Sequence, residues 1–417
     1  MKALVLAGAI SQAALIKELK RRGIFTILAD RNPSAYAVPY ADKFYPVSTS
    51  DVEKIKEIAI NEKVDFIITA CADQVLLVVA KLSEELGLPF YLSYETAKLV
   101  SDKQYMKEAF VKNNIPTAKY IVLKSLDLDK IKDFEYPLIV KPVDCYSSRG
   151  VKKVFNEKEL EVAFNEAIKL SRNKVAIIEE YCDGLEVTVD VYVENKKAIL
   201  LTTSVSEKIA DDNKFVIYRT KNPAPICDEI KDEIVVISQK LVDAFNLTNC
   251  PMLIQVIVND KKINVLEFCA RTGGCIKYEL IKKMTGFDVI KAAVDLSLGL
   301  KPHVGKLKSE SEYLINTFLY CKNGKFDHLE GFEQLYKNRI ISEYYQFVSK
   351  DSLFDSVSSS GDRLGAFTIQ GNDLNEINHK YAIAKNSIKA IDNNGKDIIR
   401  HDLIKDLFFE KMVIKTR

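Results

Sequence analysis

The sequence of 417 residues lacks the features that mark several classes of protein. Its 60 Lys and Arg nearly balance 58 Asp and Glu, and no block of like charge occurs. Electrostatics therefore give no support to a nucleic-acid or membrane-surface partner. No apolar stretch reaches the roughly 18 residues that a membrane-spanning helix needs. The length exceeds that of one compact core and predicts two or three domains.

The eight cysteines are far apart, without a CxxC pair or a metal-finger spacing, which argues against a disulfide framework or a structural zinc site. The short N-terminal apolar run continues directly into an amphipathic helix and lacks the cleavage site of a signal peptide. We therefore expect a cytoplasmic protein with reduced thiols. The histidines follow all the polar motifs below, and we expect them on surface turns: His303, His328, His379 and His401.

The first hundred residues alternate apolar strands with amphipathic helices. The predicted strands are Lys2–Ala7, Phe25–Ala29 and Phe66–Ala70, and the helices are Ala13–Arg22, Val52–Glu62 and Val75–Leu86. This alternation predicts a doubly wound parallel α/β sheet. From residue 101 the pattern becomes mixed α+β, and after residue 300 strand patterns with Gly/Asn turns follow. We divide the chain into domains at 1–98, 99–300 and 301–417.

A glycine-containing turn after the first strand and an acid after the second are part of a dinucleotide-binding signature. Gly8 and Asp30 occupy these positions. The segment from Gly8 to Ala13 lacks the GxGxxG spacing, however, and that spacing is needed for close approach to a pyrophosphate. An NAD(P)-dependent oxidoreductase is therefore a rival interpretation with weak support.

A lysine at the end of an apolar strand is followed by a short polar loop. Lys141 ends the predicted strand, and the loop spans Asp144 to Gly150. The strand fixes the ammonium in one place, and the loop N–H groups can fold over phosphate oxygens. Lys103, at the start of a predicted helix, adds a second positive charge, although alone it would be a typical surface lysine. The loop residues that we expect to contact phosphate are Ser147, Ser148 and Gly150.

A second polar segment lies where another strand runs out into a linker. Exposed backbone N–H and C=O groups at such a place suit the edge of an adenine ring. Glu186, farther along, could accept hydrogen bonds from ribose hydroxyls, although single acids at strand ends are usually only solvated. The linker residues in question are Glu179, Glu180, Tyr181 and Cys182.

Two polar side chains stand inside the apolar runs of a predicted hairpin. Gln255 lies within Met252–Val258, and Glu267 lies within Ile263–Phe268. Burying such groups without partners costs roughly 1–3 kcal/mol even for a neutral one. Oxygen ligation of magnesium would remove that cost. The sequence therefore predicts a metal site on this hairpin.

Directly after the hairpin, Arg271 precedes Gly273 and Gly274. A guanidinium and bare backbone amides at one place are suited to bind an anion. A structural salt bridge of Arg271 is the alternative interpretation.

Taken in order, these motifs resemble the ATP-grasp superfamily of carboxylate–amine ligases, which includes L-amino-acid ligases and carbamoyl-phosphate-synthase-like proteins. The resemblance covers nearly the whole chain. It implies an N-terminal α/β domain, a two-lobed ATP-grasp domain and a small C-terminal α+β domain. It also implies small carboxylate and amine substrates, and a homodimer as in related enzymes.

The resemblance further implies the role of each motif. Lys103 and Lys141 would hold the ATP phosphates, and Gln255 and Glu267 would bind Mg²⁺ or Mn²⁺. Arg271, with Gly273 and Gly274, would bind substrate and stabilise the acyl phosphate, with Lys141 as a further catalytic group. The remaining ATP contacts would be Ser147, Ser148, Gly150, Glu179, Glu180, Tyr181, Cys182 and Glu186.

Two residues depart from the family pattern. Many members have glutamate where this chain has Gln255, and many have asparagine where it has Cys269. A thiol is a poor magnesium ligand compared with oxygen, so one metal would be held less completely. Two alternative functions therefore stay open: a non-catalytic nucleotide-binding protein, and a ligase of the purine pathway or of the carbamoyl type.

Overall fold

The N-terminal part forms a four-stranded parallel sheet in the order β3-β2-β1-β4. The computed structural model describes residues 1–145, 149–209 and 215–407, and of residues 73 and 74 only the backbone. Apolar residues cover both faces of the sheet, as parallel strands require. The elements are β1 (Lys2–Leu6), α1 (Ile10–Arg21), β2 (Phe25–Ala29), β3 (Lys43–Tyr45), α2 (Val52–Glu62), β4 (Phe66–Ile68), α3 (Asp73–Leu86) and α4 (Tyr94–Leu99).

A second, antiparallel sheet of four strands follows, in the order β5-β8-β6-β7. The Asn156 side chain caps α6, and this helix buries Leu160, Phe164 and Ala167 on one stripe against the sheet. The elements are α5 (Lys103–Lys112), β5 (Tyr120–Leu123), β6 (Leu138–Pro142), β7 (Lys152–Val154), α6 (Glu157–Leu170) and β8 (Ala176–Glu180).

The largest sheet has eight antiparallel strands in the order β13-β12-β9-β10-β11-β14-β18-β16. Its first part contains β9 (Leu185–Glu194), β10 (Lys197–Lys208), β11 (Ile217–Asn222), α7 (Asp228–Ala244), β12 (Cys250–Asn259), β13 (Lys262–Cys269), α8 (Lys277–Thr285) and α9 (Val289–Ser297). Its last part contains β14 (Tyr313–Leu319), β15 (Gly324–Glu330), α10 (Phe332–Lys337), β16 (Glu343–Gln346), β17 (Leu353–Phe354), β18 (Gly365–Gly371), α11 (Leu374–Ser387) and β19 (Lys389–Asp392). Strands β17, β15 and β19 form a separate small sheet.

The two faces of the eight-stranded sheet have different chemistry. In β9, Val187, Val189 and Val191 belong to the apolar core that α7 covers. Because side chains alternate along a strand, Glu186, Thr188 and Asp190 lie on the opposite face. That polar face carries the residues of the candidate site.

The predicted fold class is confirmed: a parallel α/β sheet precedes a mixed α/β region built on antiparallel sheets. The division into three domains stays a prediction, and the eight-stranded sheet continues across the proposed boundary at residue 300. Within the described ranges, every helix is too short or too polar to traverse a bilayer.

Two expectations for the C-terminal part were wrong. The strand patterns there missed helix α11, although Ile377, Tyr381 and Ala384 recur at helical spacing and are buried. Of the histidines expected on surface turns, His328 lies in strand β15 and His379 lies in helix α11, both exposed.

Candidate functional site

Helix α5 begins at the candidate site. The Asp102 side chain accepts a hydrogen bond of 2.8 Å from the Gln104 N–H and so caps the helix. Lys103 is therefore fixed at the first helical position. Its ammonium donates to the Cys145 carbonyl at 2.8 Å and lies 3.4 Å from Glu267 Oε2. The Lys103 ammonium thus contacts both the start of the polar loop and the hairpin strand β13.

A buried group of three charges lies next to Lys103. Glu179, on β8, places its Oε2 atom 2.7 Å from Lys141 Nζ and its Oε1 atom 2.9 Å from Lys107 Nζ. The exposed fractions of the side chains are 4% for Glu179, 9% for Lys141 and 1% for Lys107, so the group is removed from solvent. One carboxylate between two ammonium groups leaves a net positive charge.

Burial alone would raise the pKa of Glu179, but the ammonium groups of Lys141 and Lys107 outweigh burial and hold this pKa at about 2. Burial lowers the pKa of Lys107, and the neighbouring charge of Lys141 acts in the same direction. The Glu179 carboxylate is therefore ionised at neutral pH. Its side chain is engaged in ion pairs with the two lysines, so only the backbone of Glu179 can contact an adenine ring.

The two predicted metal ligands lie opposite each other on adjacent strands, with Gln255 of β12 paired to Glu267 of β13. The Gln255 amide nitrogen donates to Glu186 Oε1 at 3.5 Å, which leaves the amide oxygen to act as a ligand. The Glu267 side chain is 40% exposed, with the Lys103 ammonium as a neighbour. Two oxygen donors on one sheet face fit a hard cation such as Mg²⁺.

Within the described part of the chain, no group of three His, Cys, Asp or Glu side chains is arranged to hold a metal ion by itself. Phosphate oxygens would therefore have to complete the coordination, as Mg²⁺ in nucleotide sites commonly requires. Glu186, predicted to hold the ribose, forms an ion pair with Lys208 in addition to its contact with Gln255.

The linker after β8 brings the predicted adenine contacts to the junction of two sheets. Glu180 and Tyr181 donate their N–H groups to the carbonyls of Lys119 and Pro137, both at 3.0 Å. The Cys182 N–H makes no backbone hydrogen bond within the described ranges. A cavity of about 440 Å³ opens beside this linker, between Cys182 and the β12–β13 turn. Cys182 thus offers a half-buried donor, as an adenine edge needs.

The polar loop after β6 is described only at its two ends. Ser147 and Ser148 lie outside the described residues. Gly150 has a φ of +76°, and a Cβ there would lie 2.7 Å from Leu170 Cδ1 and 3.1 Å from Pro142 Cδ. Both the backbone conformation and the lack of space require glycine at the end of the loop.

The segment after β13 lies on a buried ion pair. Arg271 donates to the Thr272 carbonyl at 2.7 Å, and a Cβ on Gly273 would lie 2.8 Å from Lys277 Cγ. Lys277 places its ammonium 2.8 Å from Asp190 Oδ2 and donates to Ser204 Oγ at 2.6 Å. Lys277, held by its ion pair with Asp190, therefore packs directly against the turn at Gly273.

Gly274 is exposed, and a Cβ there would lie 3.9 Å from the Cys71 carbonyl in the turn after β4. The Arg271–Gly274 segment thus approaches the turn that follows β4 of the parallel sheet.

The sequence interpretation missed two charged residues of the site: Lys107 and Lys277. A signal existed for Lys107, because residues four apart on a helix lie on one face, and Lys103 is already a candidate. Asp190 within an apolar run gave a similar signal for Lys277.

The matches to known proteins agree with this geometry. Residues 134–279 match the family model described as the ATP-grasp domain. The matched range contains Lys141, Glu179, Gln255, Glu267 and Arg271. This part of the chain therefore matches the ATP-grasp domain, the family that the motifs resemble.

The carbamoyl phosphate synthase large chain of Archaeoglobus fulgidus is 27% identical over 298 residues, which cover 68% of this chain and 26% of the relative. That of Clostridium acetobutylicum is 24% identical over 293 residues, covering 67% of this chain and 26% of the relative. The chain thus spans about a quarter of the length of these relatives.

Two solved structures share the fold over most of their length. The L-amino acid ligase from Bacillus licheniformis has a TM-score of 0.78 at 19% identity, covering 94% of this chain and 99% of the other. The phosphoribosylglycinamide synthetase from Anaerococcus prevotii has a TM-score of 0.76 at 22% identity, with the same coverage. At such identity these likenesses establish the fold alone.

Proposed function

We propose that the chain is an ATP-dependent, ADP-forming ligase that activates a carboxylate as an acyl phosphate and joins it to an amine. The observation that carries the proposal is the position of Lys103, whose ammonium is 2.8 Å from the Cys145 carbonyl and 3.4 Å from Glu267. The lysine that we assign to phosphate thus contacts both the start of the polar loop and the acid that we assign to the metal.

In the proposed reaction the chain binds and orients both substrates. Lys103 and Lys141 place positive charge at the β- and γ-phosphates, and the loop ending at Gly150 closes over them. A substrate carboxylate oxygen attacks the γ-phosphorus, and the bond to the bridging oxygen of ADP breaks. Positioning and charge stabilisation supply most of the acceleration, because the transferred group needs little covalent help from the protein.

In the second half-reaction the amine attacks the acyl carbonyl carbon, and inorganic phosphate leaves with one oxygen of the original carboxylate. The amine proton passes to phosphate or solvent. Arg271 and the amides of Gly273 and Gly274 would stabilise charge on the carbonyl oxygen. Mg²⁺ held by Gln255 and Glu267 would supply charge neutralisation at the phosphates.

The class of substrates belongs to the same proposal. We assign small amino-acid-like carboxylates and amines to the region between the Arg271–Gly274 segment and the turn after β4, and the similarity to an L-amino acid ligase supports this choice. The similarity to a phosphoribosylglycinamide synthetase and to carbamoyl phosphate synthases favours, as the second candidate, a phosphorylated amine or a bicarbonate substrate.

The test is ADP release from ATP and Mg²⁺ against pools of amino acids, phosphorylated amines, and bicarbonate with ammonia. Stimulation that requires a carboxylate and an amine together is the expected result, and the active pool names the substrate class. If ATP raises the melting temperature but no pool stimulates ADP release, the ligase proposal is wrong and a nucleotide-binding protein is left.

A further inference from the structure

Lys107 is the most completely buried charge next to the candidate nucleotide site, and no part of the proposed reaction uses it. Its side chain is 1% exposed. Three acceptor groups lie around this ammonium. Lys107 donates to Thr117 Oγ1 at 2.5 Å and to the Val265 carbonyl at 3.5 Å, and it forms an ion pair of 2.9 Å with Glu179 Oε1. These contacts are all with protein atoms, and the buried ammonium is not exposed to a ligand.

These three acceptors come from different parts of the fold. Glu179 lies on β8 of the four-stranded sheet, and Val265 lies on β13 of the eight-stranded sheet. Thr117, between α5 and β5, donates to the Val265 carbonyl at 2.9 Å, and the Val265 N–H donates to the Pro116 carbonyl at 2.8 Å. Lys107 therefore lies where α5 contacts both sheets. Val265, one of its partners, is two residues before Glu267 on β13.

We propose that Lys107 is a positioning residue for ATP, which shares the Glu179 carboxylate with Lys141 so that Lys141 keeps net positive charge for the phosphates. This inference rests on the proposed function, since it assigns Lys141 to ATP. Without Lys107, Glu179 and Lys141 form a neutral pair, and the cleft loses one unit of positive charge. The contacts by which Lys107 connects Glu179 on β8 with Val265 on β13, the strand that carries Glu267, are lost as well.

The test measures ATP binding by calorimetry, with Mg²⁺ present, for the wild type and for Lys107→Met. Methionine retains the unbranched stem and removes the ammonium. We expect ATP affinity to fall by about tenfold or more, the effect of losing a charge-assisted contact. Lys112→Met, on an exposed position of the same helix, is the matched control and should bind ATP like the wild type.

Two further readouts separate positioning from a purely structural role. Loss of Lys107 raises the pKa of Glu179, and protonation of this carboxylate returns the full charge of Lys141 to the phosphates. The loss of ATP affinity in Lys107→Met should therefore become smaller as the pH falls. In a Glu179→Gln background the Lys107→Met change should have little further effect, because Lys107 acts through that carboxylate. An additive loss, or a loss of the same size at every pH, would overturn the proposal.

If Lys107→Met does not fold, Thr117→Val decides the question. It removes one acceptor of Lys107 at nearly constant volume, and a smaller loss of ATP affinity with the same dependence on pH is expected. Unchanged affinity in a folded Thr117→Val variant would contradict the proposal. A wild-type protein that does not bind ATP would refute the proposed function, whereas normal ATP binding by a folded Lys107→Met variant would refute only the role of Lys107.

Discussion

Individual charges at the candidate site are held by neighbours that a sequence pattern does not reveal. Glu179 illustrates this best, because its position near the end of an apolar strand predicted an adenine contact, while its carboxylate lies between Lys141 and Lys107. Taking charges out of water is costly, and only the two close ammonium groups make this position tolerable. The Glu179 carboxylate therefore positions the ammonium groups of Lys141 and Lys107.

The depressed pKa of Glu179 gives a pH prediction. The folded pKa of about 2 lies below the ordinary value of 4.5, so this carboxylate contributes stability that is present above pH 4.5 and is lost as the pH falls towards 2. Glu179→Gln should cost about 3–5 kcal/mol at neutral pH, since it leaves two buried ammonium groups without their partner. Urea unfolding across this pH window should show the difference from wild type shrinking as the pH falls. A constant difference would contradict the assignment.

Two neighbouring glycines allow a matched comparison. A Cβ at Gly273 would lie 2.8 Å from Lys277 Cγ, whereas a Cβ at Gly274 would meet nothing nearer than 3.9 Å. We expect Gly273→Ala to destabilise the protein by about 1–3 kcal/mol through overpacking. Gly274→Ala should change stability by less than about 0.5 kcal/mol. Thermal unfolding measures both, and equal effects would show that Lys277 does not constrain this turn.

At the scale of elements, local pattern predicted most helices and strands, because apolar runs and cap residues act within a few residues of the chain. The strand Phe25–Ala29 and the helix Val52–Glu62 were predicted with their observed bounds. The order of strands in the eight-stranded sheet was not predictable, because β14 pairs with β11 across nearly a hundred residues. Motif order indicated the site, whereas the contact of Lys103 on α5 with Glu267 on β13 depends on long-range topology.

The attachment of the C-terminal segment gives a prediction at this scale. Arg219 on β11 is 2% exposed, pairs with Glu207, and donates to the carbonyls of Lys405 and Asp406 at 2.9 and 3.1 Å. Arg219→Met should lower the free energy of unfolding by about 3 kcal/mol, because a buried partner and two carbonyls lose their donor. Limited proteolysis should then cut more rapidly near residue 405.

Lys385→Met is the control for that experiment. Lys385 forms an ion pair of 2.8 Å with the exposed Asp406 side chain, so it contacts the same segment at the surface. A surface pair contributes about 0–1 kcal/mol, and we expect little change in proteolysis. Comparable effects of the two variants would mean that Arg219 is not the main attachment.

At the scale of the whole molecule, the candidate site draws on three sheets. Lys141 and Glu179 come from the four-stranded sheet, Gln255 and Glu267 come from the eight-stranded sheet, and the turn after β4 of the parallel sheet lies near Gly274. The ligase proposal requires all of them, because phosphate binding, metal binding and substrate binding are divided among the sheets.

Glu267→Ala tests this division. It removes an oxygen ligand on an exposed part of the cleft, so we expect loss of ADP formation with little change in melting temperature. The control is Glu330→Ala, an exposed acid at the end of β15, which should retain activity. An unchanged rate in Glu267→Ala would refute the metal assignment, and loss of activity in both variants would point to an unspecific effect.

The most direct test of the central claim follows the oxygen atoms. Once the screen has identified the carboxylate, it is supplied with ¹⁸O in both carboxylate oxygens, together with ATP, Mg²⁺ and the amine. Mass spectrometry of the released phosphate should then find one ¹⁸O atom per phosphate, since an acyl phosphate transfers one carboxylate oxygen to phosphorus. Unlabelled phosphate formed at the same rate as ADP would show that water attacks ATP, and would contradict the proposed ligase chemistry.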